Sequence, residues 1–192
     1  MPATAIDPKT ALVIIDLQKG ILQVPTVHPI GEIVKNSVRL ARAFRRAKLP
    51  VVLVNVGFSA DGADAPRTRV DARRSMTMGP DFADLAPELD AQPSDVFVTK
   101  RQPNAFHGTE LDLQLRRRGV TGIVITGVST SSGVGTTARA AQDFSYNVTF
   151  AADAMTDVDP AAHELFVGKI FPRVGEVDTT DAILALLPGG AA

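Results

Sequence analysis

The chain has 192 residues, 20 Lys and Arg against 21 Asp and Glu for a formal net charge of -1, and no cysteine. That length suits one domain spanning 1–192, and the balanced charge gives no electrostatic case for nucleic acid or an anionic membrane as a partner. The missing thiols exclude disulfides, thiolate metal sites and cysteine nucleophiles together. No apolar run approaches the roughly 18 residues of a membrane helix, and the opening residues MPATAIDPKT lack a signal peptide's apolar stretch. A soluble, cytoplasmic globular protein is the expectation. Hydrophobic content of 45% with no Trp and one Tyr predicts a core of aliphatic strands and Ala-rich helices.

Along the chain, short aliphatic runs alternate with longer amphipathic ones. Ala11-Leu12-Val13-Ile14-Ile15 is continuous and apolar, as a strand buried on both faces must be. Residues 31–48 read as a helix that buries Ile33, Val38, Leu40, Ala41 and Phe44 and turns Lys35, Arg42, Arg45 and Arg46 to water. Val51-Val52-Leu53-Val54 follows as a second buried strand, so the three pieces form a right-handed βαβ unit. Residues 57–92, crowded with Gly, Pro, Asp and Arg, predict a long surface excursion of the kind that often carries function. Pattern resumes with a strand at 95–98, a helix at 108–118 and a strand at 122–126. A helix at 132–144, a strand at 147–150 and helices at 160–170 and 179–187 complete the chain. The alternation predicts an α/β fold, a three-layer α/β/α sandwich with a mostly parallel, Rossmann-like sheet.

In such sheets ligands sit beyond the carboxyl ends of the strands, near the point where strand order reverses. That rule points to Asp16, to Lys100 and to the turn 127–134. A carboxylate that follows five apolar residues is partly desolvated, which raises its pKa and suits it to acid or base work. It could equally cap a helix or brace a loop. Lys100 could hold Asp16's charge or simply be solvated at a loop start. The small residues at 127–134 open a helix whose N–H groups could hold a ligand oxygen, and Gly133 would permit close approach.

Three segments resemble the isochorismatase-like hydrolases, also called the cysteine hydrolase superfamily. They are Ala11-Leu12-Val13-Ile14-Ile15-Asp16-Leu17-Gln18, Thr99-Lys100 with Asn104-Ala105-Phe106-His107-Gly108-Thr109-Glu110-Leu111, and Ile125-Thr126-Gly127-Val128-Ser129-Thr130 with Thr137-Ala138-Arg139-Ala140-Ala141. Asn147-Val148 and Asp153-Ala154 resemble the strand that follows, so the likeness runs from about residue 10 to 187. The resemblance implies a homo-oligomer, a dimer or tetramer, acting on a small-molecule substrate. It makes Asp16 the acid/base and Lys100 its assistant, and puts Gly133 where many relatives carry a nucleophilic cysteine. It also implies a cis peptide before Ser129. Relatives that share the glycine cleave a vinyl ether with no covalent intermediate. Gln18, Phe106, Ser129, Thr130 and Ser132 join the list as expected substrate contacts.

Two departures narrow the expectation. Isochorismatases place a substrate-binding glutamine where this chain has Val56, and the metal-binding histidines of nicotinamidases have no counterpart between Val56 and Asp95. No cofactor and no metal are therefore expected. Arg67, Arg69, Arg73 and Arg74 could gate an anion, form a solvated loop face or contact a second subunit. Phe58 and Phe82 could line the pocket or sit in the core. Two rival readings remain: a non-catalytic binder with an emptied site, and a serine hydrolase in which Ser131, Asp157 and His163 imitate the Ser–Asp–His order beside an imperfect G-x-S-x-G elbow.

Overall fold

A computed structural model describes residues 2–71 and 78–188. Its strands are β1 (Thr10–Ile15), β2 (Val51–Val56), β3 (Val96–Lys100), β4 (Gly122–Val128), β5 (Asn147–Thr156) and β6 (Glu176–Asp178). All pair in parallel, in the order β3-β2-β1-β4-β5-β6. The helices are α1 (Lys19–Leu22), α2 (Ile30–Arg46), α3 (Leu111–Arg117), α4 (Gly135–Asp143), α5 (Pro160–Leu165) and α6 (Thr180–Leu186), with shorter helical turns between. Among the described residues no helix is long and apolar enough to cross a membrane.

The central strand explains the layering. Every residue of β1 is buried, and its side chains alternate between two cores. Ala11, Val13 and Ile15 pack with Leu111 and Leu115 of α3 and with Ala138 and Ala141 of α4. Leu12 and Ile14 face the other way, against Ile33, Leu40, Ala41 and Phe44 of α2 and Ile183 of α6. Burying side chains of this size is worth about 2 kcal/mol each, so the continuous apolar run is what demands helices on both faces.

The order 3-2-1-4-5-6 places the reversal between β1 and β4, which opens a crevice at their carboxyl ends. There the two strands are drawn unusually close. Gly127 pairs with Ile15 at φ +113°, and a Cβ at this position would lie 2.0 Å from the Ile15 carbonyl oxygen. Only glycine fits such an approach.

Four sequence expectations need correction. β3 runs on to Lys100, which pairs with Val56, so Thr99 and Lys100 belong to the strand and not to a following loop. β5 continues past an irregularity in its pairing with β4 to Thr156, because Ala154, Met155 and Thr156 are buried again beyond the polar Asp153. The helix expected from residue 132 begins as a wide turn, Thr130–Val134, before α4 takes over. Arg45 does not face water: it reaches the buried Asp95 at 2.6 Å.

Candidate active site

Asp16 leaves β1 with φ +53°, a left-handed conformation that Asp tolerates better than most residues. Its N–H donates to the Val54 carbonyl at 2.9 Å, and its own carbonyl takes the N–H of Gln18 at 2.9 Å, so the unusual backbone is held from both sides. The carboxyl group is buried. Lys100 Nζ lies 2.7 Å from Oδ2, and the lysine is buried as well. Oδ1 has no hydrogen-bond partner and no contact with solvent. Desolvation dominates this balance and raises the Asp16 pKa to about 6, although the Lys100 ammonium pulls it down.

Gly133 stands next to this carboxyl. A Cβ built there would lie 3.4 Å from Asp16 Oδ2, 3.2 Å from the Val128 carbonyl oxygen and 2.9 Å from Ile15 Cγ2. The glycine therefore keeps the approach to Asp16 open and offers no nucleophile of its own. Asp16, Lys100 and Gly133 share the wall of one cavity of about 560 Å³, together with Ser129, Ser131 and Ser132. Val56, Phe58 and Val158 supply apolar surface to the same wall. The peptide bond between Val128 and Ser129 is cis.

The remaining expected contacts divide. Ser129 and Ser132 line the cavity. Gln18 does not: its fully buried amide donates to the Val56 and Phe82 carbonyls at 2.9 and 2.8 Å and accepts the Val56 N–H at 2.7 Å. It braces the end of β2 and the start of the excursion, and no polar atom is left for a substrate. Thr130 is also fully buried, with Oγ1 2.9 Å from His163 Nδ1, and is not among the residues that line the cavity. Phe106 packs in the core between Phe144 and Tyr146 at ring separations of 5.3 and 5.9 Å. Phe82 is buried against Gly20, whereas Phe58 does reach the cavity. Arg73 and Arg74 lie outside the described residues.

The turn's amide donors are also partly committed. Ser131 N–H goes to Asp157 Oδ2 at 2.7 Å, and the N–H groups of Ser132 and Val134 both reach the Ser129 carbonyl at 3.1 Å. These three are unavailable to hold a substrate oxygen. The contact that sequence reasoning missed is the clamp between Ser131 and Asp157, whose residues are 26 apart. Chain order brings both names up together, but only the fold shows that His163 serves Thr130 and not Ser131. Among the described residues Ser131 is bonded to Asp157 and His163 to Thr130, so these three side chains do not form the serine-elbow triad.

A family model for the isochorismatase domain matches residues 10–182. The chain belongs to the isochorismatase family. It is 45% identical over 179 residues to the isochorismatase family protein YwoC of Bacillus subtilis (strain 168), covering 92% of this chain and 93% of that one. An isochorismatase family protein from Burkholderia thailandensis has the same fold, with a TM-score of 0.92, 43% identity, and coverage of 95% of this chain and 97% of that one. More distantly, the ureidoacrylate amidohydrolase RutB of Pseudomonas syringae pv. syringae (strain B728a) is 28% identical over 177 residues, covering 79% of this chain and 72% of its own. Together these relatives point to a hydrolase.

Proposed function

We propose that the protein hydrolyses a small substrate without a covalent enzyme intermediate, with Asp16 as the acid/base and Lys100 as its electrostatic partner. The observation that carries this reading is the Asp16 carboxyl itself. It is buried beside an open glycine position, with an ammonium on one oxygen and nothing on the other. A pKa near 6 leaves about a tenth of the group protonated at neutrality and most of it below pH 6, whereas an ordinary aspartate would be almost wholly ionised, so the group can serve as a general acid.

The steps follow from that geometry. The Asp16 acid gives its proton to the substrate at the bond to be broken, either on the carbon of an enol ether or on the leaving atom of an amide-like group. Water adds to the electrophilic carbon and returns one proton to Asp16. In the interval the Asp16 carboxylate is stabilised by the Lys100 ammonium 2.7 Å away. In the enol-ether case the hemiketal so formed passes its hydroxyl proton to the departing oxygen as the carbon–oxygen bond breaks, and in the amide-like case the nitrogen already protonated by Asp16 leaves. Gly133 leaves room for the reacting atoms next to Oδ2 and cannot form an acyl intermediate, because it has no side chain.

The test is turnover by wild type and Asp16→Asn on a panel that includes isochorismate, read as pyruvate release, and ureidoacrylate, the compound that names the Pseudomonas relative. Turnover of any member that is lost in Asp16→Asn supports the acid role. Turnover that survives the substitution contradicts it. The family resemblance also leads us to expect a homo-oligomer, which light scattering would check.

A further inference from the structure

One polar cluster in the cavity wall is not used by the acid chemistry. Ser131 donates twice to the same atom: its N–H and its Oγ–H each reach Asp157 Oδ2 at 2.7 Å. Asp157 is 2% exposed, and it is held on every side. Its Oδ1 accepts the N–H of Val158 at 2.8 Å and that of Asp159 at 3.4 Å, and its carbonyl accepts the N–H of Val27 at 2.8 Å. An acceptor fixed in this way does not turn to release its partner.

A serine hydroxyl has one proton and two lone pairs. Because the proton is committed to Asp157, only the lone pairs remain for a ligand, and half-buried Ser131 sits in the wall of the cavity that contains Asp16. We propose that Ser131, fixed as an acceptor by Asp157, binds substrate and selects one that presents an N–H or O–H donor, with a primary amide or carbamoyl group as the best match. The inference rests on the reading of this cavity as the active site.

A donor placed on Ser131 extends a chain that ends on a carboxylate, and such chains strengthen each member by polarisation. A carboxylate placed there meets lone pairs instead of a proton, close to the charge of Asp157, so the same corner rejects anions. Asp157 acts only through Ser131 and is a positioning residue. The cluster is not a second nucleophilic centre, since the Ser131 proton is held by Asp157 and His163 is engaged by Thr130.

The experiment is an NMR titration of the whole protein with benzamide and with benzoate, two probes of one shape that differ in whether they can donate. Binding is read from chemical shifts and not from turnover, so failure here is separable from failure of the Asp16 chemistry. Wild type is expected to bind benzamide at least about tenfold more tightly than benzoate, the scale of one hydrogen bond lost or gained. Ser131→Ala closes that gap by weakening benzamide alone, whereas Ser131→Thr, which keeps the hydroxyl, preserves it. Asp157→Asn lets the Ser131 proton turn toward the cavity, and benzoate gains relative to benzamide. Should Asp157→Asn fail to fold, the two Ser131 variants decide the matter. Benzoate binding as tightly as benzamide, no benzamide binding at all, or a preference unmoved by Ser131→Ala overturns the proposal.

Discussion

Two buried carboxylate–cation pairs stand at opposite ends of the parallel sheet. At the amino end of β3, Asp95 meets Arg45 through both oxygens, with Nε at 3.1 Å and Nη2 at 2.6 Å. It also accepts the N–H of Gln92 at 2.8 Å, while Arg45 reaches on to the Leu89 carbonyl at 3.2 Å. At the carboxyl ends, Asp16 has a single ammonium on one oxygen and an orphan on the other. The first pair is chemically saturated and ties the C-terminal turn of α2 to the sheet. The second is incomplete: burial raises its pKa beyond what the one ammonium offsets, and the oxygen without a partner beside a cavity leaves the group something to do. Burial of an ion pair therefore says little about function until each lone pair has been traced to a partner.

Exchanging the two carboxylates for amides should break the comparison most sharply. Asp16→Asn is expected to lower kcat/KM by at least about 10²-fold, the usual contribution of a general acid. Asp95→Asn should leave kcat/KM within a few-fold but cost about 3 kcal/mol in chemical denaturation, because Arg45 then keeps a charge with no carboxylate to answer it. If the two outcomes are interchanged, the assignment of roles is wrong.

Lys100→Met sharpens the account of Asp16 itself. The ammonium lowers the Asp16 pKa against a larger desolvation effect, so its removal should raise that pKa further. For an acid that works protonated, activity falls above its pKa. Wild-type kcat/KM should decline above about pH 6 and the variant's decline should begin at higher pH, with a smaller overall rate since the carboxylate left after proton transfer has lost its partner. The smallest effect is expected from Gly133→Ala. Its Cβ would press on Ile15 Cγ2 at 2.9 Å and occupy space 3.4 Å from Asp16 Oδ2. A drop of about tenfold in kcat/KM with about 1 kcal/mol of destabilisation should follow.

The two ends of the sheet also differ in how well the sequence reveals them. β1 is legible because a strand buried on both faces must be apolar throughout, and a carboxylate directly after it stands out. Lys100 was placeable for the same reason, from an apolar strand and the family motif around it. Less legible were elements whose partners lie far along the chain. β6 has three half-buried residues, pairs among the described residues with β5 alone, and carries no alternation to detect. Arg45 shares its helix with truly solvated arginines, and only the approach of Asp95, fifty positions later, distinguishes it. Gln18 and Thr130 follow the motif order of the site but spend their polar atoms on the protein's own backbone and on His163. Phe106 belongs to a family motif and still turns into the core, because Phe144 and Tyr146 offer it aromatic neighbours there. Motif position fixes where a backbone passes; the hydrogen-bond partners decide what a side chain is free to do.

The most direct test needs no substrate. Carbon-13 labelling of the aspartate carboxyls, with Asp16→Asn to assign the Asp16 resonance, allows its titration to be followed by NMR. A midpoint near pH 6 is the expected result, in keeping with a buried acid that lacks a second partner. A midpoint at or below the ordinary value of 3.8 would mean that Lys100 fully compensates the burial, and Asp16 would then be a structural anion like Asp95 and no acid catalyst.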